Sequence, residues 1–192
     1  MVWAQKHELG LTLGGIVPQD RGSAPNSLRL TGGVALQANY GYRFWSNDRF
    51  AVLGEFHFLA NGQRKVEDAP AAATRDVATL YATPGIRVKF APKSAIAPYV
   101  AVGGGYALYE QSFFRVDGRS NQAPRFRHGG AFVYGGGVDV RVPEGIPLSR
   151  FIGLRGEIRD FVSGNPAYNL PQISGAQHNV VVGGGFVIKW GE

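Results

Sequence analysis

The chain contains no cysteine among its 192 residues, so neither a disulfide framework nor a thiolate metal site can form. It also lacks any run near the roughly 18 apolar residues that a transmembrane helix needs. The net charge is +6, yet no block of five or six lysines and arginines occurs, which argues against a nucleic-acid partner. The length suits a single domain.

Hydrophobic side chains alternate with small or polar ones along most of the chain. Between residues 34 and 44, for example, Val34, Leu36 and Phe44 share one face, and Gln37 and Asn39 share the other. Equivalent segments are 9–13, 50–58, 80–90, 99–108, 131–142, 152–159 and 180–190. Such strict alternation indicates β-strands, and no segment shows the period of an amphipathic helix. We therefore predict an all-β protein of eight strands, many long enough to cross a bilayer at a tilt.

The connections between these strands are of two kinds, which alternate strictly. The short ones are 45–49, 91–95 and 143–150. The long ones, rich in Pro, Gly, Asn and charge, are 14–27, 61–75, 110–125 and 163–177. Outer-membrane barrels have tight turns on the periplasmic side and long loops outside. The pattern predicts an antiparallel up-and-down transmembrane β-barrel in the bacterial outer membrane, with both termini periplasmic because the strand count is even.

One face of every strand carries large aliphatic and aromatic residues, more than the interior of an eight-stranded barrel could hold. We therefore expect these residues to face lipid. The other face carries small, amide and charged residues, which suit a narrow interior where both signs of charge pair. The predicted interior polar network comprises Arg43, Glu55, His57, Arg87, Asp139, Arg141, Arg155, Glu157, Arg159 and Lys189. Its expected role is to hold the barrel closed, and a narrow pore lined by the same residues is the alternative.

Aromatic residues near the strand ends are expected to form the two girdles that membrane barrels place at the lipid–water boundaries. On the short-turn side they are Phe44, Trp45, Phe50, Phe90, Tyr99 and Trp190, and on the long-loop side Phe58, Tyr109, Phe126 and Phe161. Three glycine triplets, at 103–105, 135–137 and 183–185, lie in mid-strand. No Lys-Ser/Thr and no helix follows them, which excludes a phosphate loop. Their expected role is to relieve crowding inside a small barrel.

In this pattern the chain resembles the OmpA/OmpX-type family of small outer-membrane β-barrels over residues 5 to 190. The most specific match is in the last strand, where Gly185, Ile188 and Trp190 resemble the C-terminal signal read by the barrel-assembly machinery. Usually that aromatic residue ends the chain, whereas Gly191 and Glu192 follow it here. The resemblance implies a transmembrane barrel without an attached peptidoglycan-binding domain. It also implies insertion by that machinery and a signal peptide.

The first four residues have the small-residue pattern of a signal-peptidase site, with Val2 and Ala4 before a possible cut at Gln5. No charged segment and no apolar segment precede them. We interpret residues 1–4 as the remnant of a signal peptide and residues 5–190 as one barrel domain. An ordinary frayed terminus is the alternative.

The third long loop is the most basic segment of the chain. Arg115, Arg119, Arg125 and Arg127 stand there with Asp117 as the nearest acidic residue. Because the guanidinium group matches phosphate geometry, these arginines are candidate contacts for lipopolysaccharide or another anionic polymer. A solvated loop without a partner is the alternative.

Evidence for catalysis or metal binding in the sequence is weak. The four histidines are His7, His57, His128 and His178, and they form no metal motif. The His-x-Ser arrangement of lipid A deacylases is missing, although Ser163 and His178 flank the fourth long loop and could approach each other. We therefore expect no cofactor and no enzymatic activity.

Three functions follow from these observations, in decreasing order of support. The first is a structural or surface-interaction role through the long loops, with outer-membrane lipid, lipopolysaccharide or an unidentified surface partner. The second is a narrow transport barrel for small solutes or a hydrophobic ligand. The third is a membrane-embedded lipid-modifying enzyme. A soluble ligand-carrying barrel is disfavoured by the polarity of the two faces.

Overall fold

The structure, a computed structural model, describes residues 5–20, 28–143, 145–146, 148–164, 168–170 and 175–191. In these ranges the chain forms nine β-strands: β1 (His7–Pro18), β2 (Arg29–Leu30), β3 (Gly33–Ser46), β4 (Phe50–Glu67), β5 (Asp76–Phe90), β6 (Ile96–Gln111), β7 (Phe126–Arg141), β8 (Ile152–Gly164) and β9 (Ala176–Trp190). No helix capable of spanning a membrane is found in them. The predicted signal-peptide remnant, residues 1–4, lies outside the described residues.

Eight of the strands close into an antiparallel ring. β1 pairs with β3, each of β3 to β8 pairs with the next strand in the chain, and β9 pairs with β1 to complete the circle, since His7 is opposite Trp190 and Pro18 is opposite Asn179. Among the described residues, the two-residue strand β2 pairs with the end of β4 and not with another strand. The predicted eight-stranded up-and-down barrel is confirmed. Closure pairs the strand edges with one another, which a sheet inside lipid requires.

The strand β4 is longer than the alternation predicted. It has 18 residues and continues to Glu67, whereas the sequence pattern placed a loop from Asn61 onwards. The pairing with β5 shifts between Asn61 and Arg64, a bulge that leaves two successive exposed residues before burial resumes at Arg64. A bulge interrupts the two-residue period, so a pattern based on strict alternation ends there.

The two faces of the barrel have the polarity expected from the sequence. Bulky hydrophobic side chains point outward, and Val34 is 65% exposed, Leu13 58% and Phe186 59%. Charged and amide side chains point inward and are fully buried, as at Glu8 and Asn39. This is the inverse of a soluble protein, and it matches a wall that contacts hydrocarbon.

Three of the predicted girdle residues were placed on the wrong side of the wall. Tyr99, Tyr109 and Phe161 are between 0% and 3% exposed, because each occupies an inward position of its strand. The other predicted girdle residues are exposed, apart from Phe58, which is partly buried. A girdle residue must therefore lie near the end of a strand and also point outward, so position along the strand alone does not identify it.

The half of the interior nearer the long loops contains the main hydrophobic cluster, together with buried polar side chains such as Arg64 and Gln177. Its cluster of buried side chains includes Leu59, Tyr81 and Phe161 from the strands. Leu28 and Tyr168, from two of the long loops, close it from above. The interior is therefore divided into a hydrophobic layer near the long loops and a charged layer near the short turns.

Inward-facing glycines make room for the large groups of the charged layer. A Cβ atom at Gly10 would lie 2.6 Å from Arg155 Nη1, and one at Gly41 would lie 2.7 Å from Arg87 Nη2. At Gly137, in the second glycine triplet, it would lie 2.6 Å from the Tyr99 hydroxyl. At Gly137 the steric role predicted for the triplet is explained, because the Tyr99 hydroxyl occupies the space that a side chain would need.

We predict that Gly137→Ala destabilises the barrel by about 1–3 kcal/mol, the usual effect of overpacking. The added methyl group would meet Tyr99 and the backbone oxygen of Gly156. Gly129→Ala, on the same strand, is the control, because its Cβ would meet no atom within 4 Å. Urea unfolding in lipid vesicles measures both, and equal stability of the two variants would contradict the steric role.

Candidate functional site

Charged side chains from five strands meet in the half of the interior nearer the short turns. Lys89 Nζ lies 2.7 Å from Glu8 Oε1 and 2.7 Å from Asp139 Oδ2. Arg155 donates two hydrogen bonds to the Asp139 carboxylate, from Nε at 2.7 Å and from Nη2 at 2.9 Å. Arg87 Nη1 and Arg155 Nη2 each lie 3.5 Å from Glu8 Oε2. Glu8 is therefore shared by three buried cations.

A second group of charges continues this network toward the barrel centre. Glu55 lies 2.7 Å from Arg87 Nε and 2.5 Å from Arg159 Nη1. Arg159 Nε donates to Glu157 Oε2 at 3.0 Å. The same carboxylate accepts hydrogen bonds from the Tyr99 hydroxyl at 2.9 Å and, on its other oxygen, from Thr12 at 2.8 Å.

These two groups form one balanced array, which we call the ion-pair layer. It consists of four carboxylates, Glu8, Glu55, Asp139 and Glu157, and four cations, Arg87, Lys89, Arg155 and Arg159, all buried. Burying single charges would cost several kcal/mol each, and mutual pairing offsets that cost. The equal numbers of opposite charges allow the array to occupy a narrow interior.

The remaining predicted network residues lie at its edges. His57 is buried, with Nδ1 3.7 Å from Glu55 Oε1. Arg43 is partly exposed and donates to Glu8 at 3.3 Å. Lys189 is partly buried and is opposite Glu8 in the sheet register. Arg141 was wrongly placed in the interior, because it is exposed at the last position of β7 and donates to the Lys93 carbonyl at 2.9 Å.

Two central members of the layer, Glu8 and Lys89, were missing from the predicted network. Lys89 stands on the inward side of its alternating segment, and Glu8 has the same parity as the inward Gly10 and Thr12. Extending the alternation by one residue at the start of β1 would have identified Glu8. The buried Arg64, which donates to Thr79 at 3.0 Å, was also missed because it follows the bulge.

The suggested approach of Ser163 to His178 does not occur. Ser163 points inward, where its hydroxyl hydrogen-bonds with Tyr81 at 3.2 Å and with Tyr109. His178 points outward and is paired with Asp160. The two residues lie on opposite faces of the wall, so His178 cannot act as the general base for Ser163.

The long loops hydrogen-bond to one another across the open end of the barrel. Thr74 pairs with Arg115, and Val116 N donates to the Ala73 carbonyl at 2.9 Å. Thr74 N donates to the Tyr168 carbonyl at 3.1 Å, which joins the last loop to the other two. We call this assembly of residues 68–75, 112–125 and 168–170 the loop cap. It is an ordered surface above the hydrophobic layer.

The four predicted anion-contact arginines lie in or beside the loop cap, but they are not equivalent. Arg115 pairs with Asp117 at 3.4 Å, and Arg125 pairs with Glu110 while its guanidinium stacks over Phe113, 4.2 Å from the ring centre. The side chain of Arg119 is 80% exposed, and its contact with Asp117 is long, at 3.9 Å. Arg127 is exposed and, among the described residues, forms no ion pair with a carboxylate. Arg119 and Arg127 are therefore the two most available cations.

The residues of the predicted assembly signal lie at the seam between the first and last strands. Trp190 stacks on His7, with ring centres 5.6 Å apart, and His7 Nδ1 lies 2.7 Å from the Tyr40 hydroxyl. Ile188 points outward and is 40% exposed. Gly185 points inward, where a Cβ would lie 2.8 Å from Thr12 Cα. Aromatic contacts thus fasten the short-turn end of this seam.

No protein-family model matches the chain, and no curated protein matches it by sequence. Solved structures do. Neisserial surface protein A (NspA) aligns with a TM-score of 0.56 at 14% identity, covering 96% of this chain and 97% of that one. OprG from Pseudomonas aeruginosa aligns with a TM-score of 0.58 at 14% identity, covering 98% and 97%. The outer membrane enzyme PagL aligns with a TM-score of 0.51 at 12% identity, covering 94% and 98%.

The chain has the fold of the small eight-stranded barrels of the Gram-negative outer membrane, and the predicted resemblance to such barrels is confirmed. At these identities the likeness concerns the fold. Because one of these neighbours is an enzyme, the fold is compatible with catalysis. The expectation that this chain is not an enzyme stays a prediction.

We predict that Arg155→Met lowers the free energy of unfolding by about 3–5 kcal/mol, because Asp139 loses its bidentate partner and the ion-pair layer keeps one buried negative charge without a matching cation. Lys93→Met is the control. It breaks an exposed pair in which the hydrogen bond from Lys93 lowers the pKa of Asp48, and exposed pairs contribute little to stability. Urea unfolding in lipid vesicles measures the free energy of unfolding of both variants. Equal stabilities would show that the ion-pair layer does not hold the barrel together.

Proposed function

We propose that this protein is a closed outer-membrane barrel that acts through its loop cap, as a structural or surface-interaction protein. The observation that carries the proposal is the combination of an occupied interior with an ordered cap bearing exposed arginines and phenylalanines. The start of β1, the end of β9 and the short turns are at the same end of the barrel. By the usual asymmetry of such barrels, that end lies in the periplasm and the loop cap lies outside the cell.

The packing of the interior favours this role over solute passage. The ion-pair layer crosses the interior from β1 to β5 and from β4 to β8, with distances of 2.7 Å between Glu8 and Lys89 and 2.5 Å between Glu55 and Arg159. The hydrophobic cluster lies above it. An eight-stranded barrel has just enough interior space for side chains. A narrow pore for small solutes is the alternative, and planar-bilayer conductance of the wild type distinguishes the two.

The chemistry of the loop cap suits the phosphate groups of lipopolysaccharide. Arg119 and Arg127 present guanidinium groups that can bind phosphate oxygens in a bidentate manner. Phe113 is 62% exposed and Phe126 is 46% exposed, and both rings lie against the guanidinium group of Arg125. A surface with both features fits the boundary where anionic headgroups meet acyl chains.

Assembly is the second interaction that we propose. Gly185, Ile188 and Trp190 of β9 would be recognised by the barrel-assembly machinery during insertion. The outward exposure of Ile188 and Trp190 supports this, because both side chains are available before lipid surrounds the barrel. This interaction concerns biogenesis and is compatible with any role of the finished barrel.

We predict that the double variant R119Q/R127Q binds lipopolysaccharide about tenfold more weakly, since a charge-assisted hydrogen bond contributes about 1.5–3 kcal/mol before solvent screening. The control is R49Q/R150Q, which removes two exposed arginines at the short-turn end. Titration of the purified protein with lipopolysaccharide at two salt concentrations gives both affinities. Unchanged binding by R119Q/R127Q would remove lipopolysaccharide phosphate as the ligand of the cap.

A further inference from the structure

Three polar side chains interrupt the hydrophobic outer wall at neighbouring positions of β7, β8 and β9. The Tyr134 hydroxyl donates to Asp160 Oδ2 at 2.8 Å, and His178 Nδ1 lies 2.6 Å from the same oxygen. Hydrophobic side chains surround them on this face, among them Ile158 and Val182, which are 54% and 55% exposed. We call Tyr134, Asp160 and His178 the wall cluster.

An ionisable residue that faces lipid is costly and marks a functional site more often than a structural one. Asp160 is eight residues along β8 from Ile152, which corresponds to roughly 20 Å across the membrane at the usual strand tilt. The apolar band of such barrels is about 25 Å tall. The wall cluster therefore lies near the edge of the hydrocarbon on the long-loop side, at the depth of lipid headgroups and their linkages.

A shallow apolar groove on the same wall ends at this cluster. The groove has a volume of about 330 Å³ and is lined by Ile86, Val88, Val100, Val102 and Tyr134, among others. Val88 and Val100 lie closer to the short turn at 91–95, so the groove extends from Tyr134 toward the middle of the membrane. Tyr134 belongs to both features, because its ring lines the groove and its hydroxyl binds Asp160.

The orientation of His178 leaves one polar atom for a ligand. Its Nδ1 is engaged by Asp160, and its side chain is 41% exposed, so Nε2 is the ring nitrogen left for an outside partner. An anionic ligand suits the arrangement in which both ring nitrogens donate, Nδ1–H to Asp160 and Nε2–H to the ligand. A donor at the edge of hydrocarbon requires an acceptor, because an unmatched polar group there is costly. A phosphate oxygen is the strongest acceptor that lipids present at this depth.

We propose that the groove and the wall cluster form a binding site for one acylated phospholipid. An acyl chain lies in the groove, and a phosphate oxygen accepts a hydrogen bond from His178 Nε2. From β7 to β9 is two strand spacings, about 10 Å, which the glycerophosphate linker and headgroup of one lipid can cover. The site is separate from the loop cap and does not depend on the arginines there.

The test is native mass spectrometry of the refolded protein in detergent, with equimolar phosphatidylglycerol and diacylglycerol that carry the same acyl chains. The wild type should retain one phosphatidylglycerol and little diacylglycerol. His178→Gln removes the donor, and Val100→Trp fills the groove. Each is expected to lower retained phosphatidylglycerol at least fivefold. R119Q/R127Q should retain it fully, which separates this site from the loop cap.

Two matched controls address folding and location. His128→Gln changes the other outward histidine near the long loops, which is bonded to Tyr106 instead. Leu36→Trp places the same indole ring on β3, two strands away from β5 and nearer the long loops, at a position that is 60% exposed. Circular dichroism checks that every variant is folded, and if His178→Gln does not fold, Val100→Trp decides. Equal retention of the two lipids by the wild type, or equal losses in the variants and their controls, would overturn the proposal.

Discussion

The narrow interior of an eight-stranded barrel is the constraint on which the rest of this structure depends. Lipid outside requires that the bulky apolar residues point outward, which leaves the inside to charges, amides and glycine. Buried charges are tolerable only when they are paired, and here four carboxylates meet four cations. The inward glycines follow from the same constraint, because Arg155 and Arg87 occupy the space where Cβ atoms would be.

This arrangement supports the proposal that the protein acts through its surfaces. The interior is divided between the ion-pair layer and the hydrophobic layer, and both are packed against the wall from several strands. The loops are tied together above it by backbone hydrogen bonds from Thr74 and Val116. We therefore expect the functional residues of this barrel to lie in the loop cap and on the lipid-facing wall. Arg119 is an exposed cation in the cap, and Asp160 is a carboxylate on the hydrophobic wall.

Much of the fold could be predicted from the sequence, because alternation assigns each side chain to one side of the wall. That rule placed Glu55, Arg87 and Glu157 inside without any knowledge of partners. It did not say which charges pair, since Glu8 and Lys89 come together only when β1 and β5 face each other across the closed ring. It also failed at the bulge before Arg64, where the period is interrupted. The wall cluster was beyond its reach, because it depends on the register of three strands.

The central claim is that hydrophobic side chains contact hydrocarbon while the charges are enclosed, and spin-label accessibility tests it directly. The chain has no cysteine, so single cysteines can be introduced one at a time for labelling. In lipid vesicles, labels at Leu36, Val100 and Phe186 should collide with oxygen and be protected from a water-soluble nickel complex. Labels at Asp48 and Arg119 should show the reverse. Ready access of the nickel complex to the first three positions would contradict the account.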